Sequence, residues 1–287
     1  MFSSKVVQVL TLAAASTVLS SHEVNALQVH GDFSVGLRMI PDLERSHRDL
    51  WRSHVVQIHN VQCVALGNGA FVTAGHVGTP KGATDHYRVR AHDRSLCDLI
   101  LFRHSEGPQG IGRLAIAASV DRSQNELLVL ANAKTQGLAR LAPAANLVQN
   151  DITGRALTPG LHLFTPKFGT PGAADVEVGD SGSGVFRFDS ERGGWTLAGI
   201  LVSRVDPHSH EIALQGVPGS LSGAIDTSVA TGVGQQLLDY RDGVITRGGL
   251  FDSWSRREKA IGIAGAGAAV LLGGALGAIS RRRSKST

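Results

Sequence analysis

Between about residue 52 and residue 245 the chain breaks into short apolar runs rich in β-branched residues: HVVQIHNVQCVAL, AFVTAGHV, CDLILF, ELLVLANA, LHLFTP, GVFRF and WTLAGILVS. Gly, Pro, Asn or Asp interrupts them roughly every ten positions, a spacing that suits antiparallel strands joined by tight turns. The pattern predicts an all-β fold, a sandwich or barrel. Gly67 to Phe71 reads GNGAF, and Asn-Gly between two strand-like runs is a strong hairpin signal. FDSERGGW, around Phe188 to Trp195, is a second turn of this kind. One short helix ending at glycine is expected over Val233 to Gly243. Leu27 to Leu50 has no period and reads as a lead-in arm, there are no internal repeats, and the stretch around Gly137 and Pro143 is the expected crossing between two halves.

The ends read differently. The first 26 residues carry an early lysine, an uncharged run from Val6 to Leu19, and a polar stretch closing on Val24-Asn25-Ala26, which predicts a secretory signal cleaved after Ala26. Ala260 to Ile279 is free of charge and is followed at once by RRRSK. About 20 residues at ~1.5 Å each reach ~30 Å, so a membrane-spanning helix with a cytoplasmic basic flank is expected, and its small residues suit helix-mediated self-association. A sorting tail removed after export fits the same residues. The formal charge of +4 is accounted for by Arg281, Arg282, Arg283 and Lys285, so the exported part is near neutral and gives no case for a nucleic-acid partner. Cys63 and Cys97 are the only cysteines, which leaves one disulfide or two buried thiols.

Serine hydrolysis needs a hydroxyl, a neutral imidazole to take its proton, and a carboxylate to fix the imidazole tautomer. His76 stands among small residues in FVTAGHV, at the end of a strand-like run. Asp98 lies at the start of CDLILF, where a carboxylate entering a buried run needs hydrogen-bond partners; Asp85 and Asp93 are its rivals. Ser181 sits in DVEVGDSGSGVF between Gly179 and Gly182, whose backbone freedom lets the Gly179 and Ser181 amides converge on one point as an oxyanion hole.

FVTAGHV, CDLILF, GDSGSGVF and LAGILVS together resemble the histidine, aspartate, serine and following-strand motifs of the trypsin-like (chymotrypsin-fold) serine endopeptidases, in particular their compact bacterial and viral members. The resemblance covers about 52 to 245. It implies two six-stranded antiparallel β-barrels with the active site in the cleft between them, with protein or peptide substrates and no cofactor. It also implies His76 as general base, Asp98 as its orienter, Ser181 as nucleophile, and Ser203 as a cleft residue that hydrogen-bonds the aspartate. Asp175, six positions before Ser181, falls where a carboxylate would select Arg or Lys, while Val205 narrows the same pocket. No IVGG-like new N-terminus is visible, so Asp180 lacks its usual partner in zymogen activation.

These readings divide the chain into a signal peptide (1–26), a lead-in (27–51), an N-terminal barrel (52–142), a C-terminal barrel (143–245), a linker (246–259), a transmembrane helix (260–279) and a basic cytoplasmic tail (280–287). The catalytic part would then face the cell surface or periplasm. A catalytically inactive relative that serves as a tethered binding module is the main alternative. An esterase of the GDSL kind is disfavoured because its motif stands near the N-terminus of an α/β fold, and Ser183 breaks a GxSxG elbow. His86, His92, His104, His208 and His210 show no metal-ligand spacing, so no metal is expected.

Overall fold

The computed structural model describes residues 27–38, 53–108, 110–122, 126–141, 154–158, 161–166, 171–205 and 221–245. The expected signal peptide and transmembrane helix lie outside them, and among the described residues no helix is long and apolar enough to cross a membrane. The fold is mostly β, in two sheets. A three-residue strand β1 (Gln28–His30) and a five-residue helix α1 (Phe33–Leu37) come first; the Asp32 carboxylate caps that helix through the Ser34 amide.

Strands β2 (Val55–Ile58), β3 (Val61–Gly67), β4 (Ala70–Ala74), β5 (Thr84–Arg90) and β6 (Leu96–Arg103) form an antiparallel sheet in the order β2-β3-β4-β6-β5. The β3–β4 hairpin turns on Asn68 (φ 54°) and Gly69 (φ 69°), the two left-handed positions that a type I′ turn requires. The second sheet contains β7 (Leu127–Ala131), β8 (Gln136–Arg140), β9 (His162–Pro166), β10 (Ala173–Asp175), β11 (Gly184–Asp189), β12 (Gly194–Val205) and β13 (Leu221–Asp226). Its order is β1-β10-β8-β7-β11-β12-β13-β9. Asp189 shapes the β11–β12 turn by accepting from the amides of Glu191 and Arg192.

Among the described residues the two sheets have five and eight strands, against six expected in each barrel, and the β7–β8 hairpin pairs with β11 in the second sheet. Pro143 lies outside the described residues, and Gly137 lies within β8 of this second sheet. A Cβ there would lie 2.5 Å from the Ala174 Cβ, so this glycine allows β8 to approach β10 closely. The passage between sheets falls between β6 and β7.

Between the sheets lies a shared core that includes Val64, Leu66, Val72, Leu99 and Leu101 from the first and Phe186, Trp195, Leu197 and Ile200 from the second. Burial of each such side chain contributes roughly 1.5–3 kcal/mol. Helix α2 (Val233–Arg241), close to its expected span, adds Val233, Leu237 and Tyr240 to this core. The Gln236 side chain acts as a piece of strand at the edge of β5, accepting from the Arg90 amide (3.1 Å) and donating to its carbonyl (2.7 Å).

The cysteines do not form a disulfide; both are free and buried. Cys63 on β3 packs with Ile58, Ala65, Phe71 and Phe102 on the outer face of the first sheet, whereas Cys97 on β6 belongs to the shared core on the inner face. Strand β4 lies between β3 and β6, which separates the two backbones by about 9.6 Å, beyond the ~7 Å limit for a bridge. Burial pushes both thiols up to about 12.

Candidate active site

Strand β4 ends at Ala74, and the next residues, Gly75 and His76, run alongside Asp98 on β6. Gly75 permits the contact, since a Cβ there would sit 3.0 Å from Asp98 Oδ1, and its amide donates to the Asp98 carbonyl at 2.8 Å. The Asp98 carboxylate accepts twice from one residue: Oδ1 from the His76 backbone amide at 2.8 Å and Oδ2 from the ring Nδ1 at 2.7 Å. A carboxylate so placed fixes the proton on Nδ1. Nε2 is left with its lone pair toward the Ser181 hydroxyl, 3.0 Å away. His76, Asp98 and Ser181 are thus brought together, while the rivals are not: the Asp93 carboxylate caps Ser95, and Asp85 (φ 52°) is at the start of β5 with its carbonyl accepting from the Tyr240 hydroxyl.

Ser181 is presented by a turn that precedes β11 and is held from both sheets. Asp180, wholly buried, accepts from the amides of Leu27 (3.0 Å) and Glu177 (2.7 Å) and from Asn132 Nδ2 (3.1 Å). Burial raises its pKa; these three hydrogen bonds act in the opposite direction. The Gly182 amide donates to the Leu201 carbonyl on β12, and the Ser183 amide donates to the Asp180 carbonyl. Gly182 (φ +97°) is also wedged against the first sheet, where a Cβ would lie 2.1 Å from the Gln62 carbonyl oxygen. Gly179 is left-handed as well (φ 104°). Among the described residues the Glu177, Gly182 and Ser183 amides have protein acceptors, and those of Gly179 and Ser181 have none.

Beside Ser181 opens a cavity of about 340 Å³ lined by His76, Arg155, Val176, Glu177, Val178, Gly179, Leu201, Val202, Ser203 and Arg204. Its walls are largely apolar, and Val178 is 79% exposed. Both arginines are paired, Arg204 with Glu177 at 3.4 Å and Arg155 with Asp98 at 2.5 Å. Ser203 does line the cavity, but its hydroxyl donates to the Gly223 carbonyl at 3.4 Å and not to Asp98. Asp175 is buried on β10 opposite Gln28 and is not among the lining residues. Val205 ends β12, beyond the lining residues. Arg155 was not legible as a site residue, because nothing local in GRALTP signals a tertiary partner.

Elsewhere the ligand atoms of His59, His104 and Glu106 lie within 4.8 Å of one another. His104 uses both ring nitrogens already, Nε2–H donating to the Lys81 carbonyl (2.9 Å) and Nδ1 accepting from the Glu106 amide (3.1 Å), and His59 Nε2 lies 3.5 Å from the Glu106 carboxylate, so these side chains are already partnered among themselves and with the backbone. His208 and His210 lie outside the described residues.

No protein-family model and no curated protein matches the chain. Among solved structures, a chimeric murine norovirus NS6 protease is similar at 14% identity and a TM-score of 0.43, covering 61% of this chain and 93% of that one. The NS6 protease of murine norovirus 1 is similar at 18% identity and a TM-score of 0.39, covering 61% and 90%. Rv3671c of M. tuberculosis H37Rv, in an inactive form, is similar at 18% identity and a TM-score of 0.37, covering 63% and 80%.

Proposed function

We propose that the chain is a serine endopeptidase of the trypsin-like kind, acting through an acyl-enzyme. The observation that carries this reading is the unbroken relay from the Asp98 carboxylate through both ring nitrogens of His76 to the Ser181 hydroxyl. Ser181 Oγ attacks the substrate carbonyl as its proton passes to Nε2, and Asp98 stabilises the resulting imidazolium. The imidazolium then protonates the departing amine, and water repeats the sequence to release the acyl group. The free amides of Gly179 and Ser181 receive the oxyanion; loss of one such donor costs about 10²–10³ in rate. Fluorophosphonate labelling of the folded chain, abolished in Ser181→Ala, is the expected result. A folded wild type that does not label would favour the alternative, a membrane-tethered binding module.

The cavity suggests a neutral, apolar side chain next to the scissile bond, since its arginines and its glutamate are already paired and, apart from His76, Ser181 and Ser203, its remaining walls are Val176, Val178, Leu201, Val202 and the Gly179 backbone. The Arg or Lys preference expected from Asp175 has no support from the lining residues. Cleavage of a peptide library distinguishes the two by the residue found before the cut.

Export and activation are proposed to be one event. Leu27 follows the expected signal cleavage site, its amide donates to the buried Asp180 carboxylate, and its φ of 56° is a left-handed conformation that costs a leucine roughly 1–2 kcal/mol. Scission after Ala26 removes that torsion and converts the amide donor into an ammonium facing a buried carboxylate. The processed catalytic part is then outside the cytoplasm, tethered by Ala260 to Ile279; retention of the full chain, but not of one ending at residue 255, in alkali-washed membranes tests the tether.

A further inference from the structure

Asp98 carries more than its histidine. Arg155, in the 154–158 segment that precedes β9, donates from Nη1 to Asp98 Oδ2 at 2.5 Å and from Nη2 to the Val202 carbonyl at 2.8 Å. Asp98 belongs to the five-stranded sheet, and Val202 to β12 of the eight-stranded sheet, next to the Leu201 carbonyl that holds the serine turn. One planar guanidinium therefore spans the seam across which the proton moves. Of the lone-pair sites on the carboxylate, one meets the His76 amide, one the ring Nδ1 and one Arg155. With three donors from three directions, the carboxylate cannot turn about its own axis.

We propose that Arg155 is a positioning residue for proton transfer, holding Asp98 in the orientation that keeps His76 in its Nδ1–H tautomer with Nε2 aimed at Ser181. This rests on the serine endopeptidase reading given above. Two effects of the arginine oppose each other, and that makes the proposal sharp. Its positive charge beside Asp98 competes with the imidazolium for the same carboxylate, so on charge alone removing it speeds the reaction. Its fork fixes geometry, so on positioning alone removing it slows the reaction. Positioning dominates here because both ends of the fork are satisfied by groups that are themselves fixed in strands, and misplacement by about 1 Å costs ~10²-fold in rate. Lysine cannot substitute, since a single ammonium does not reproduce the fixed fork whose two nitrogens reach acceptors on two different strands.

The test compares rates of fluorophosphonate labelling and peptide hydrolysis for the wild type, Arg155→Met, Arg155→Lys, Asp98→Asn and the Arg155→Met/Asp98→Asn pair. Both Arg155 variants are expected to label and turn over roughly 10²-fold more slowly with KM unchanged. The Arg155→Met loss disappears in the Asp98→Asn background, because the group through which it acts has gone. The downfield proton resonance of the Nδ1–H bond, present in the wild type, is broadened or lost in Arg155→Met. Equal or faster labelling in Arg155→Met overturns the proposal, as does a loss that multiplies with that of Asp98→Asn. Should Arg155→Met fail to fold, Arg155→Lys keeps the charge and decides alone, wild-type rates in it counting against the proposal. A wild type that does not label, or a Ser181→Ala that does, rejects the peptidase reading and this role together; the Arg155 inference fails by itself when Ser181 is labelled and the Arg155 variants match the wild type.

Discussion

There is no room for a methyl group at Gly182, where it would strike the Gln62 carbonyl at 2.1 Å and the backbone stands at φ +97°. Gly182→Ala is expected to destabilise the protein by about 2–4 kcal/mol in urea unfolding and to slow labelling of Ser181, because the turn moves. Gly193→Ala is the control: its φ of +61° is equally left-handed but nothing lies within 4 Å, so only ~1 kcal/mol is lost and labelling is unchanged. The two thiols, with pKa values pushed up to about 12, should be silent to a disulfide reagent in the native protein and both react in guanidinium. One thiol reacting at a rate independent of unfolding would contradict the burial described. At this scale the sequence was informative wherever chemistry is local. Small residues around His76 and Ser181 are the same residues that let two backbones meet at the site. Arg155 was hidden because its partners, Asp98 and Val202, lie 57 and 47 positions away, and for Asp175 the position along the chain does not say which way its strand faces.

Elements obey the same division. The β3–β4 hairpin and helix α2 fall where turn chemistry and composition put them, since Asn-Gly and a terminal glycine act over a few residues. The β7–β8 hairpin is equally recognisable as a pair of strands, but its choice of β11 over the first sheet depends on burial that no short window contains. Helix α2 has no strong apolar stripe of its own and is held by tertiary contacts, of which Gln236 is the most specific. It bonds the backbone N–H and C=O of Arg90 and accepts from the Tyr87 hydroxyl. Gln236→Ala should cost about 2 kcal/mol, seen as a drop in Tm of several degrees, because net hydrogen bonds contribute ~0.5–1.5 kcal/mol each. Labelling of Ser181 should not change, as the helix supports the sheet and not the turn.

For the molecule as a whole, pH and the proposed scission before Leu27 are linked through Asp180. Burial raises that carboxyl above its ordinary value of 3.8. In a chain still continuous before Leu27, its favourable contribution is therefore complete at low pH and is lost as pH rises through the raised value. A free ammonium at Leu27 supplies a counter-charge over that same interval and withdraws it above pH ~8 as the amine deprotonates. Chains beginning at Leu27 should accordingly exceed uncut chains in stability by on the order of 3 kcal/mol near neutral pH and converge with them in acid and in alkali, as read from urea midpoints at each pH. Identical profiles for free and acetylated Leu27 would remove the case for activation by scission. The Gly182 backbone lodged against Gln62 has a further consequence for how this molecule fails. Because hydroxyl and imidazole are contributed by opposite leaves of the joint, a gap of one water molecule would break the proposed proton path while either leaf still keeps its own ladder of bonds. In rising urea, reaction with the probe should cease at concentrations where far-ultraviolet dichroism is still that of the intact sheets.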